Sequence, residues 1–236
     1  PVEVYLPARQ TDDLSLLIHF HGAPYVAVRA ARSVDRPLAV AVVNLGSGSS
    51  VYGGPFEDPG ALDRVVSVVE SSVGSEELRE VYLSAFSAGY GAVRSILGQE
   101  GAAGRVRGVL LLDGLHAGYV PEGRPLSRGG RIDTTELEPF LGYARRATTG
   151  EEILVVTHSE VFPGTYASTT ETTDFLLERL GLERHPVLRW GPVGMQQLSE
   201  AGKRGFRVLG FAGNSAPDHV DHLHGMPRFL ALLVDA

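Results

Sequence analysis

Short apolar runs rich in β-branched residues alternate along this chain with longer segments whose apolar residues recur every three or four positions. The runs have the length of buried strands, and the longer segments have the period of amphipathic helices. Such alternation is typical of an α/β protein, in which a mostly parallel sheet carries helices on both faces. Strands are predicted at Val2–Leu6, Leu14–Phe20, Leu38–Asn44, Val81–Ala85, Val106–Leu112, Ile153–Thr157 and Phe206–Ala212. Helices are predicted at Ala61–Ser71, Ala88–Leu97, Thr135–Arg146, Thr170–Leu180 and Met226–Leu233.

The length of 236 residues suits one α/β domain with a large core and is short for two. No repeat or low-complexity linker divides the chain, and the Gly- and Ser-rich stretch Gly46–Gly54 is interpreted as a loop after a strand. A short strand or hairpin is predicted around Pro186–Trp190 and Met195–Leu198. The sequence therefore predicts a single domain over residues 1–236, with a sheet of about seven to eight strands and no large lid domain.

Composition excludes several classes of function. The net charge of −7 is spread along the chain without a basic run, which argues against a nucleic-acid partner. The absence of cysteine excludes disulfides, thiolate nucleophiles and Cys-ligated zinc. The longest apolar runs, such as Val109–Leu112 and Phe229–Val234, are far shorter than the roughly 20 residues that span a bilayer. A soluble chain is expected; it begins at Pro1, which is compatible with a removed leader, and compartment and oligomeric state are left open.

The sharpest local signal surrounds Ser87, where the apolar run beginning at Val81 ends in small residues and a helical pattern follows. A strand–turn–helix nucleophile elbow needs small residues two positions before and after its serine, because strand and helix backbones come close there. Ala85 and Gly89 meet that need, with Ala in the position where the common motif has Gly. The alternative interpretation makes Ser87 an ordinary helix N-cap.

A second segment supplies the context for this elbow. The apolar run Leu16–Phe20 ends in His-Gly-Ala-Pro, well before Ser87 in the chain. Together the two segments resemble the α/β-hydrolase family of esterase- and lipase-like serine hydrolases. The resemblance implies an oxyanion hole made by the backbone N–H groups of Ala23 and Ala88, and Pro24 cannot donate.

The family order of serine, acid and histidine places the general base after the last strand. The segment Gly213–His224 follows that strand and contains three histidines. His219 is preferred because it lies nearest the strand end, where Pro217 should turn the chain before a helix begins. His222 is the closest alternative, and His224 is interpreted as a capping or surface residue.

Two carboxylates fit the position of the acid that orients the histidine. Glu160 stands shortly after the strand Ile153–Thr157, the usual place in the family, and Asp113 ends the strand Val106–Leu112. The sequence favours Glu160 slightly and keeps Asp113 as the alternative.

The resemblance implies an esterase that forms an acyl-enzyme at Ser87 with a small-molecule ester or related acyl substrate, and needs neither a metal nor an organic cofactor. One alternative is a metal-dependent hydrolase, whose ligands would come from His19, His21, Asp218, His219, Asp221, His222 and His224. His19 and His21 are otherwise interpreted as structural, bonded to loop backbone. The other alternative is a catalytically inactive hydrolase-fold binding protein. Aromatic residues expected near the carboxyl edge of the sheet are Tyr25, Tyr52, Phe86, Tyr90, Phe162, Tyr166 and Trp190.

Overall fold

The computed structural model describes residues 2–8, 13–73, 78–101 and 103–235. Its contacts divide the chain into two compact units: the first comprises Pro1–Leu110 with Met226–Ala236, and the second Leu111–Gly225. The single domain predicted over residues 1–236 stays a prediction. No helix within the described ranges is long and apolar enough to cross a membrane.

Strands and helices alternate along most of the chain. The strands are β1 (Val2–Tyr5), β2 (Ser15–Phe20), β3 (Leu38–Val43), β4 (Val81–Phe86), β5 (Val106–Leu112), β6 (Tyr119–Val120), β7 (Arg131–Ile132), β8 (Ile153–His158), β9 (His185–Trp190), β10 (Gln196–Lys203) and β11 (Phe206–Phe211). The α-helices are α1 (Pro24–Ala31), α2 (Ser49–Gly53), α3 (Ala61–Val73), α4 (Tyr90–Leu97), α5 (Glu138–Thr149), α6 (Thr169–Leu180), α7 (Ala216–His224) and α8 (Met226–Val234).

In the first unit the strand order is β1-β3-β2-β4-β5, and β2 pairs in parallel with both β3 and β4. Phe20 at the end of β2 lies opposite Val43 and Ala85. Every residue of β2, β3 and β4 is buried, as their mostly apolar composition predicts for strands covered on both faces. The loops that follow these three strands therefore leave the sheet at one edge, which is where α/β proteins place their sites.

In the second unit the order is β5-β8-β11-β10-β9, with β5 shared because the boundary between the units falls inside it. β8 and β11 are parallel, while β10 pairs antiparallel with both β11 and β9. The mostly parallel sheet is confirmed, and the described part of the chain contributes nine strands to it where seven to eight were predicted. The predicted hairpin supplies β9 and β10, and a separate two-stranded sheet joins β6 to β7.

Two sequence interpretations were wrong about helices. The stretch Gly46–Gly54, predicted as a loop, contains the short helix α2. The segment preceding His219, predicted as a turn, is the first turn of α7: Ser215 caps it, and Ser215 and Asp218 form a capping box. Pro217 lies in the first turn, where a missing N–H costs nothing, so it favours the start of the helix.

Candidate active site

Ser87 lies on the turn between β4 and α4, in a conformation that few residues adopt. Its φ is +47°, in the left-handed region that is uncommon for a residue with a side chain. Two residues later, a Cβ added to Gly89 would collide with the carbonyl oxygen of Phe20, so this position requires glycine. Ala85 is completely buried opposite Phe20. The small residues around Ser87 thus stand where β2, β4 and the following turn approach closely.

The loop after β2 is held by a pair of hydrogen bonds between the side-chain amide of Asn44 and the backbone of Gly22, called here the clamp. His21 and Gly22 both have positive φ, +66° and +142°. Asn44 accepts a hydrogen bond from the backbone N–H of Gly22 at 3.0 Å and donates one to its carbonyl at 2.9 Å. Ala23 then forms the N-cap of α1, and Pro24 is the first helical residue. Sequence reasoning missed Asn44, although a polar residue directly after a buried strand was a usable signal.

The two histidines near the end of β2 bond to side-chain hydroxyls. His21 Nδ1 lies 2.8 Å from Tyr52 Oη, and its ring stacks on Phe86 with 5.9 Å between centroids. His19 Nδ1 lies 2.8 Å from Ser84 Oγ, and the residue is fully buried. Burial, with a smaller effect from His21, lowers the pKa of His19 to about 4. His19 is thus neutral near pH 7.

In the second unit, His219 is paired with Asp113. The imidazole Nδ1 lies 2.8 Å from Asp113 Oδ2. Ser159 donates to the same carboxylate twice, from its backbone N–H to Oδ1 at 3.0 Å and from its hydroxyl to Oδ2 at 2.6 Å. Asp113 also has a positive φ of +43°, directly after β5.

Electrostatics keep this carboxylate charged. Burial alone would raise the pKa of Asp113, but the hydrogen bond from His219, the nearby ring of His222 and the hydroxyl of Ser159 together hold it well below its usual range. An ionised Asp113 accepts the proton of Nδ1, and a neutral imidazole that donates through Nδ1 carries its lone pair on Nε2. The pair therefore has the chemistry of an oriented general base.

The carboxylate bonded to His219 is Asp113 and not Glu160, which the sequence favoured. The side chain of Glu160 is exposed, and its backbone N–H donates to the carbonyl of Gly213 at 2.8 Å. The sequence ranked the two by position in the family order alone. Which carboxylate reaches the ring depends on how the loops after β5 and β11 are aimed, and no local pattern encodes that direction.

His222, the alternative base, is fully buried, and its Nδ1 lies 2.8 Å from Thr157 Oγ1. Burial lowers the pKa of His222 to about 4, partly opposed by Asp113. His224 is half-buried in the last turn of α7. Across the described ranges, no three His, Asp or Glu side chains are grouped as a metal site requires.

The aromatic residues expected near the site divide by exposure. Tyr52, Phe86 and Tyr90 are buried and belong to the packing of the first unit. The other four are exposed, by 43 to 76%: Tyr25, Phe162, Tyr166 and Trp190.

No protein-family model and no curated protein sequence matches this chain. Solved structures do match it. A truncated form of a carbohydrate esterase from gut microbiota aligns with 98% of this chain and 89% of its own, with a TM-score of 0.55 and 10% identity. A bifunctional GH43-CE protein from Bacteroides eggerthii aligns over 98% of this chain and 35% of its own (TM-score 0.52, 14% identity). An acylaminoacyl peptidase from Pyrococcus horikoshii aligns over 97% of this chain and 37% of its own (TM-score 0.51, 13% identity).

This chain thus spans only about a third of the length of the latter two proteins. The TM-scores of 0.51 to 0.55 show a shared fold, and at 10 to 14% identity they show the fold alone. The chain has the α/β-hydrolase fold.

Proposed function

We propose that this chain is a serine hydrolase that cleaves carboxylic esters of small molecules through an acyl-enzyme at Ser87. The hydrogen bond between His219 Nδ1 and the buried, ionised Asp113 carries the proposal. A serine hydroxyl is a poor nucleophile until an imidazole takes its proton, and a carboxylate on Nδ1 fixes the ring and its tautomer for that task. The unusual φ of Ser87 supports the assignment, because such backbone strain concentrates at active sites.

The proposed reaction has two halves. Ser87 Oγ attacks the ester carbonyl carbon while His219 Nε2 accepts the hydroxyl proton, and His219 then gives that proton to the departing alkoxide. Water attacks the acyl-enzyme by the same route, which releases the acid and restores the serine. The oxyanion formed in each half accepts hydrogen bonds from the N–H groups of Ala23 and Ala88.

Both donors of this oxyanion hole stand at the start of helical turns, where backbone N–H groups have no intrahelical acceptor. The clamp between Gly22 and Asn44 fixes the loop that carries Ala23. A rigid donor costs no reorganisation when charge develops, which is the main source of rate acceleration in such sites.

An ester is the proposed substrate because an ester carbonyl has less resonance stabilisation than an amide carbonyl and is hydrolysed more readily. The α/β-hydrolase fold hosts many reactions, so the fold does not choose between them. The matching structures named above include both an esterase and a peptidase. Hydrolysis of an activated ester such as p-nitrophenyl acetate is the direct assay.

The first prediction is that a fluorophosphonate labels Ser87 and abolishes ester hydrolysis, since only an activated serine reacts. Mass spectrometry should place the adduct on the Ser87 peptide, and Ser87→Ala should be inactive and unlabelled. Ser84→Ala is the matched control, because Ser84 is a buried serine of β4, the strand that leads to Ser87, and its hydroxyl bonds to His19. An adduct on Ser84, or hydrolysis without any adduct, would refute the proposal. Ester binding without turnover or labelling would favour the inactive binding protein.

A further inference from the structure

The carboxylate of Asp113 belongs to a longer chain of hydrogen bonds within the second unit. Ser159, which is 1% exposed, occupies both of its oxygens, through its backbone N–H and its hydroxyl. Asp113 Oδ2 is shared between that hydroxyl and His219. The direction of the carboxylate is therefore set by the position of Ser159.

Ser159 is in turn held by His158. The Nδ1 of His158 lies 2.9 Å from the carbonyl oxygen of Ser159, and Arg184 Nη1 lies 2.9 Å from its Nε2. A guanidinium can only donate, so Nε2 carries the lone pair and Nδ1 donates its proton to Ser159. Burial and the charge of Arg184 lower the pKa of His158 to about 4, which keeps the ring in this neutral form. The hydroxyl of Thr170 donates to the same carbonyl at 3.1 Å.

Arg184 is itself fixed from two sides. Its Nε donates to Asp174 at 2.6 Å, and its Nη2 donates to Thr173 Oγ1 at 2.6 Å. Two residues of helix α6 thus orient the guanidinium that faces His158. The network has side branches, because Thr170 Oγ1 lies 3.1 Å from His158 Nδ1 and Ser199 Oγ lies 3.5 Å from Arg184 Nη1.

A glycine on the neighbouring strand makes room for the histidine ring. Gly210 on β11 lies opposite His158 on β8. A Cβ at Gly210 would lie 2.8 Å from Cε1 and 2.9 Å from Nε2 of His158. The same Cβ would lie closer still to Ser199 Oγ, so a side chain at this position would displace the Ser199 hydroxyl, the His158 ring or both.

We propose that Arg184, His158 and Ser159 are positioning residues that hold Asp113 in the orientation in which it accepts the hydrogen bond of His219. This inference rests on the proposed function above. The physical reason is that a carboxylate can turn about its side-chain bonds, and a turned carboxylate no longer aligns the imidazole. A supporting shell that fixes the carboxylate preserves this alignment through the catalytic cycle.

The test compares kcat and KM for p-nitrophenyl acetate in four variants. Ser159→Ala removes the hydroxyl donor, and His158→Leu removes the hydrogen bonds of the ring to Ser159, Arg184 and Thr170. Gly210→Ala crowds the ring and the neighbouring Ser199 hydroxyl. Each is expected to lower kcat by about 10- to 100-fold with little change in KM, as for outer partners of other catalytic groups. His158→Asn retains a donor near the Nδ1 position and should recover most of the lost kcat.

Val156→Ala is the matched control, because Val156 is a fully buried residue of β8 outside the hydrogen-bond chain. It should lower the thermal midpoint and leave kcat near the parent value. Proton NMR provides a second measurement that a loss of stability alone would not change. It detects the strongly deshielded proton of the hydrogen bond between His219 and Asp113. Proton NMR should show this signal shifted or broadened in Ser159→Ala at a temperature where the variant is folded.

Asp113→Asn separates the two proposals. If it is inactive while Ser159→Ala, His158→Leu and Gly210→Ala have the parent kcat, the positioning role is overturned and the proposed function stands. If Asp113→Asn is fully active, both the positioning role and the proposed function are refuted. Should His158→Leu fail to fold, Ser159→Ala and Gly210→Ala decide the question.

Discussion

An ionised carboxylate buried as deeply as Asp113 destabilises a folded protein unless donors surround it. Asp113 is 4% exposed, and the donors are the ring of His219 with the backbone N–H and hydroxyl of Ser159. Their effect, with that of His222, outweighs burial and lowers the pKa of Asp113, so the charge persists at neutral pH. The same charge would stabilise the imidazolium that forms when His219 takes the serine proton.

At this scale, the second prediction contrasts the two candidate acids. Asp113→Asn keeps the shape but removes the charge and permits the wrong tautomer of His219, so kcat should fall by about 10⁴-fold, the loss known from a serine protease. Glu160→Gln is the matched control, because Glu160 is an exposed carboxylate in the neighbouring loop. Steady-state kinetics of both variants provide the measurement. If Glu160→Gln is inactive and Asp113→Asn is active, Glu160 is the acid, as the sequence favoured.

Among the elements, α7 is the one whose start determines where His219 lies. Ser215 accepts from the backbone N–H of Asp218, and the Asp218 side chain accepts from that of Ser215. Gly213, with a φ of +123°, packs against the Asp218 side chain so closely that a Cβ there would collide with it. Because His219 is in the first turn, the cap and not a flexible loop fixes the position of the proposed base.

The third prediction follows from this cap. Ser215→Ala leaves the backbone N–H of Asp218 without its side-chain acceptor, and should lower the free energy of unfolding by about 1 kcal/mol. It should also lower kcat, because the first turn frays. Ser215→Asn retains a capping oxygen and should keep both quantities near the parent values. Urea unfolding and kinetics on the same samples test this; equal behaviour of the two variants would show that the cap does not matter.

At the scale of the whole molecule, buried neutral histidines dominate the response to acid. His19 in the first unit and His158 and His222 in the second each have a pKa lowered to about 4, with burial as the main cause. In the unfolded chain a histidine has a pKa of about 6.5, so the unfolded state binds more protons between these values. The stabilisation is complete above pH 6.5 and is lost as the pH falls toward 4.

The fourth prediction is a decline in the free energy of unfolding between pH 6.5 and 4, of up to about 1.4 kcal/mol per pH unit for each histidine. Urea unfolding at a series of pH values measures it, and His222→Gln should show a shallower decline. A parent protein equally stable at pH 7 and 4.5 would contradict the burial of these rings. A single transition seen by several probes would support the prediction of one domain.

The sequence predicts local features of the fold well and the shape of the candidate site only in part. The strands and the small residues around Ser87 are visible because each depends on neighbours in sequence. The partners Ser159 and Arg184 lie 46 and 26 residues from the groups they bond, and their residue types are common on any surface. His219 was preferred for a turn that proved to be a helix, because a proline suits both.

The close backbone contact at Gly89 also limits which substitutions this fold tolerates near Ser87. The Phe20 carbonyl that faces it belongs to a strand buried on both faces, which cannot retreat from a new methyl group. A random library spread over Ala85–Gly89 would lose most of its members to misfolding before selection for a new substrate begins. Diversity is better placed at exposed aromatic positions such as Phe162 and Tyr166, where a side chain can change without disturbing the core.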